Sequence, residues 1–109
     1  MQLTRWNKET APSLEVLRAT LAGEGFQVSE WTDPPGAVYP LHSLDYAVAR
    51  WVLRGNLRIG MPESGEEFTL KPGDRLDLPA AVPHWMDVEA EAPVFYLIGT
   101  KSVNGRRRP

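Results

Sequence analysis

The sequence predicts an all-β domain, an antiparallel sandwich or small barrel preceded by a single helix. Two observations carry that reading. From Phe26 onward the chain is a series of short runs of alternating apolar and polar residues, each closed by glycine or proline, the pattern of strands joined by tight turns. Only one segment, near the N-terminus, has helical spacing, so the crossover helices that parallel strands require are missing.

The helix comes first. In SLEVLRATLA, Ser13 to Ala22, residues Leu14, Val16, Leu17 and Leu21 form an apolar stripe, with Ser13 placed to cap the N-terminus and Gly23 to stop the helix. FQVSEW, Phe26 to Trp31, alternates and runs into the turn residues Asp33-Pro34-Pro35-Gly36. AVARWVLR, Ala47 to Arg54, places Val48, Arg50, Val52 and Arg54 on one face and Ala47, Ala49, Trp51 and Leu53 on the other. Gly55-Asn56 then turns the chain into NLRIGM, Asn56 to Met61. EEFTL (Glu66 to Leu70), DRLDL (Asp74 to Leu78), HWMDVE (His84 to Glu89) and PVFYLIG (Pro93 to Gly99) follow at even spacing. Between two of them, Lys71-Pro72-Gly73-Asp74 has proline second and glycine third, the signature of a type II turn at a hairpin corner rather than of a phosphate loop.

Composition bounds the function. At 109 residues and 42% hydrophobic content the chain is one domain, able to bury roughly two-thirds of its unfolded surface. It divides into an N-terminal segment, 1–25, a strand-rich body, 26–100, and a basic tail, 101–109, expected to be disordered. The net charge is −2, and the tail's Arg106, Arg107 and Arg108 supply a quarter of the positive charge. The body is therefore acidic, which argues against a nucleic-acid surface. Without cysteine, a metal could be held only by nitrogen and oxygen ligands. No apolar run reaches the roughly 18 residues of a membrane span, and the first residues lack a signal-peptide core. A cytoplasmic protein without membrane contact is expected.

The only two histidines lie in two distinctive stretches, PGAVYPLHSLDYAVARWVLRG around His42 and PGDRLDLPAAVPHW around His84. These resemble the two conserved motifs of the cupins. Gly36, His42 and Gly55 fall where the first motif wants them, and Gly73, Pro79 and His84 match the second, with Ala81 in place of a glycine. The chain is most similar to small single-domain bacterial cupins over about residues 13 to 100. The resemblance implies a jelly-roll β-barrel in which three histidines and one acidic residue face inward and hold a divalent ion such as Fe, Mn, Zn or Ni. Here the second histidine position is Leu44 and the acidic one Val48, so only His42 and His84 remain as metal candidates. Asp45 is the nearest replacement ligand, although alternation points it away from Leu44's face; Asp77 and Asp87 are weaker ones.

Arg50 shares a strand face with Val48, which the resemblance turns toward the interior. A buried guanidinium needs a partner, either a carboxylate such as Asp77 or Glu30, or the carboxylate of a bound molecule. Tyr39 and Trp85, flanking the histidines, are further candidates for lining a pocket, while Phe95 and Tyr96 face opposite ways. Trp31 and Trp51 read as core or interface residues. The apolar set Ala49, Trp51 and Leu53 needs a cover, either a second subunit in a twofold homodimer, as the resemblance also implies, or the N-terminal helix. Three functions stay open: binding of a small polar or carboxylate-bearing molecule, a metal-dependent enzyme of dioxygenase, isomerase or lyase type using His42 and His84, and a non-catalytic dimerisation module.

Overall fold

The computed structural model describes residues 1–101; the arginines of the basic tail lie outside them. The elements are β1 (Gln2–Thr4), α1 (Leu14–Gly23), β2 (Gln27–Asp33), β3 (Val38–His42), β4 (Ala47–Arg54), β5 (Leu57–Met61), β6 (Glu66–Leu70), β7 (Arg75–Leu78), β8 (His84–Val88) and β9 (Val94–Lys101). Every strand pairing is antiparallel. One sheet has the order β1-β7-β4-β9-β2 and the other β3-β8-β5-β6, and the two stack as a jelly-roll sandwich. Between them lies a core that includes Val48, Val52, Leu57, Ile59, Leu76, Leu78, Met86 and Tyr96. These are the alternate positions of their strands, as the period of two requires.

The helix covers the outside of the five-stranded sheet. Ser13 Oγ accepts a hydrogen bond from the Val16 N–H and caps it. Leu17 and Leu21 are fully buried against Ala49, Leu53 and Leu97, with Phe26, Trp51 and Phe95 at the margin. Burial of each leucine contributes about 1.5–3 kcal/mol. The apolar face of β4 is thus sealed within one chain, and the argument from that face for a homodimer falls away.

Two strands were not legible as such. β1 is too short to show a period, yet its pairing with β7 ties the N-terminal segment into the sheet. β3 carries Pro40, which cannot donate to a ladder, and it is accordingly an edge strand. β9 runs on to Lys101, the first residue assigned to the tail from sequence.

The turn at Lys71-Pro72-Gly73-Asp74 forms, with the Asp74 N–H donating to the Lys71 carbonyl at 2.8 Å and Gly73 at φ +92°, but it is not the hairpin corner expected: β6 pairs with β5 and β7 with β1 and β4, so the turn carries the chain from one sheet to the other. Glycine is required there twice over, because a β-carbon would also collide with the Trp6 ring. The following residue, Asp74, is buried and accepts from the N–H groups of Trp6 and Lys71 and from Arg5. Burial works to raise its pKa, but those hydrogen bonds outweigh it and hold the carboxyl below its usual value.

Candidate functional site

The two histidines come together. β3 and β8 pair so that His42 lies opposite His84, and the ring centroids are 4.5 Å apart. An irregularity in β3 makes this work. Tyr39 and His42 are three residues apart, which in a regular strand puts them on opposite faces, and the register shift between them lets both approach the interior. Each imidazole is oriented in the same way, with His42 Nδ1 bonded to the Pro40 carbonyl and His84 Nδ1 to the Val82 carbonyl, both at 2.9 Å. A nitrogen facing a carbonyl must carry the proton, so each Nε2 is left as an acceptor.

Arg50 completes this group from the opposite sheet. Its Nη1 lies 3.4 Å from His84 Nε2, the residue is 5% exposed, and its Nε has no hydrogen-bond partner. The sequence expectation that it pairs with Asp77 or Glu30 is not met. Both carboxylates are on outer faces, where Asp77 holds Arg75 and Glu30 holds Arg18. No described carboxylate reaches Arg50 within ion-pair distance. Burial consequently pushes the guanidinium pKa down, and the nearby Tyr96, Tyr46, Tyr39 and Asp33 oppose that only in part.

Beside it lies a carboxylate that sequence reasoning assigned to a turn. Asp33, at the end of β2, is 4% exposed and accepts hydrogen bonds from Tyr39 Oη (2.5 Å), Tyr96 Oη (2.7 Å) and Trp31 Nε1 (3.0 Å). Burial, together with the bonds to Asp33, raises the pKa of both phenols. The Asp33-Pro34-Pro35-Gly36 run hid the role of Asp33, since turn chemistry explained it sufficiently. Trp31 is 46% exposed above this cluster and so lies outside the core.

Of the candidates read from sequence, Tyr39, His42, Arg50 and His84 therefore converge. Trp85 and Asp45 do not. Because His84 faces inward, Trp85 faces outward, where it lies flat on Gly60 and under the Arg58 guanidinium, 5.0 Å from its ring centroid. Asp45 is exposed in the loop before β4. Burial of His84, followed by the charges of Arg50 and His42, lowers its pKa against the pull of the Val82 carbonyl.

These residues do not fit a metal ion. Leu44 and Val48 occupy the inner positions where the cupin pattern has ligands and pack into the core. The lone pair of His84 Nε2 faces a guanidinium, whose charge repels a second cation. Asp87 is engaged by Arg58 on the outer face. Among the described residues no three donor groups converge on a common point, whereas a zinc site uses three or four. A separate groove of about 370 Å³ lies between Val38, Arg58, Asp87 and Glu91 on the outer side of the four-stranded sheet. Its arginine is already bound to Asp87 and Glu67.

No family model matches the sequence, and no curated protein matches it. Solved structures do resemble it. A cupin protein from Bacteroides fragilis is 22% identical with a TM-score of 0.62, over 77% of this chain and 71% of that one. A DMSP lyase from Ruegeria pomeroyi is also 22% identical, with a TM-score of 0.64 over 75% of this chain, which spans only 41% of the lyase. A putative mannose-6-phosphate isomerase from Ralstonia eutropha is 18% identical, with a TM-score of 0.64 over 72% of this chain and 76% of that one. The chain has the cupin fold; at these identities the likeness extends to the fold alone.

Proposed function

We propose that the barrel binds a small carboxylate-bearing molecule without a metal, and that Arg50 takes the carboxylate. The observation that carries this reading is the unpaired state of a buried cation. A guanidinium that is 5% exposed, with an orphan Nε and no described carboxylate within ion-pair distance, is costly to keep. Its planar donors match a carboxylate in two-point fashion. Arg50 itself supplies the positive charge beside His84.

The neighbours suit that role. His84 Nε2 holds one end of the guanidinium, and the Asp33 network fixes Tyr39 and Tyr96 around it. Val48, Leu44 and Ile98 supply apolar surface, in keeping with pockets that combine apolar walls and a few polar anchors.

The test is thermal and chemical unfolding of the parent and of Arg50→Met across a panel of small organic acids. At a ligand concentration a hundred times its Kd, the parent gains about 2.7 kcal/mol, and the variant gains nothing. Equal responses in both proteins would refute the assignment.

A further inference from the structure

Hydrogen-bonding capacity around Arg50 restricts the ligand further, on the premise that Arg50 binds a carboxylate. A phenol has one proton, and those of Tyr39 and Tyr96 are both given to Asp33. The Nδ1 proton of His42 is given to the Pro40 carbonyl, which leaves Nε2 as a lone pair. No described group donates to that lone pair. His84 Nε2 already accepts from Arg50. Tyr46, in the loop leading into β4, is the one hydroxyl near Arg50 whose proton is uncommitted among the described residues.

The site is therefore divided. Arg50 offers donors, and the phenols and His42 Nε2 offer acceptors, Tyr39 Oη already accepting from Trp31 Nε1 at 3.4 Å. A simple carboxylate satisfies only the first half. We infer that the ligand is a 2-hydroxy acid, its carboxylate on Arg50 and its adjacent hydroxyl donating to His42 Nε2. The corresponding 2-oxo acid would set a carbonyl lone pair against the imidazole lone pair, and a deoxy acid would leave His42 Nε2 to water in a half-buried position. His42 is thus the residue that reads the oxidation level of the ligand, and Arg50 the one that reads its charge.

Isothermal titration of the full chain with mandelate, phenylglyoxylate and phenylacetate tests this, with lactate, pyruvate and propionate as a smaller set. The expected result is binding of the hydroxy acid about tenfold tighter than of the other two, the effect of one hydrogen bond to a neutral acceptor. His42→Ala abolishes that preference and retains carboxylate binding. Equal affinity for all three acids in the parent overturns the inference while leaving the anion site standing, and so does a preference that survives in His42→Ala. Absence of binding by every acid overturns the anion site and this inference with it. The parent comparison alone decides the matter should the variant fail to fold.

Discussion

Two arginines on the same sheet are treated in opposite ways. Arg75 of β7 stands opposite Trp51, and Arg50 of β4 stands opposite Leu76, one step along the same register. That step moves the side chain from the outer face to the inner one. Arg75 lies between the Trp51 and Phe26 rings and makes four hydrogen bonds, two to Asp77 and two to Glu24. Its pKa is pushed up: burial opposes this, and the two carboxylates prevail. Arg50 has an imidazole nitrogen and an orphan Nε, and its pKa is pushed down. The first arginine is a structural rivet. The second is buried with an imidazole as its one side-chain partner among the described residues.

Substitution to methionine separates the two roles most strongly. Arg50→Met is expected to raise the free energy of unfolding by about 1–4 kcal/mol, the gain seen when a buried charge gives way to apolar packing. Arg75→Met is expected to lower it by about 2 kcal/mol, because Asp77 and Glu24 lose their cation in a partly solvated setting. Urea denaturation measures both, and a destabilised Arg50→Met would show that the guanidinium has a satisfied structural role after all.

The next effect is on pH dependence. The His84 imidazole has its pKa lowered from the ordinary 6.5, so the unfolded chain takes up the proton first. Its contribution to stability is complete above pH 6.5 and is lost as pH falls through that value toward the folded one. The lowered carboxyls of Glu24, Asp74 and Asp87 act in a separate, more acidic window: their contribution is present above ordinary values of 4.5, 3.8 and 3.8 and is lost as pH falls through the folded ones. His84→Gln, which keeps an acceptor for Arg50, should flatten the unfolding profile just below pH 6.5 and leave the acid limb intact. An unchanged profile would mean that the pKa of the His84 imidazole is not lowered by its burial in the fold.

The smallest expected effect lies in the loop ahead of β8. Ala81 is the one described residue other than glycine with a positive φ, +70°, and its N–H is held by the Leu44 carbonyl at 2.7 Å. It stands where the cupin pattern has glycine. A left-handed alanine costs about 1 kcal/mol, so Ala81→Gly should stabilise the protein by about that amount in the same urea experiment. A loss of stability would place the strain elsewhere.

Much of this site was legible before any coordinates. Alternation alone put Arg50 and Val48 on one face and Ala49, Trp51 and Leu53 on the other, and both faces are as read. The two histidines were found through their motifs, and their register across β3 and β8 makes them neighbours. Asp33 was missed because a turn residue and a buried acceptor of three donors look the same in one dimension. Trp85 was misplaced because proximity in sequence to His84 means the opposite side of a strand.

The alternation of apolar and polar residues, the turn glycines and the helix caps are local properties, and for that reason the sequence by itself determined the all-β architecture, its one helix and the shared strand face of Arg50 and Val48. Which partner from elsewhere in the chain each charge found was decided only by the tertiary structure. Asp77 reaches Arg75 along β7 itself, but Glu24 comes to it from the end of α1, and Arg50 is left with an imidazole from the other sheet and an unpartnered Nε.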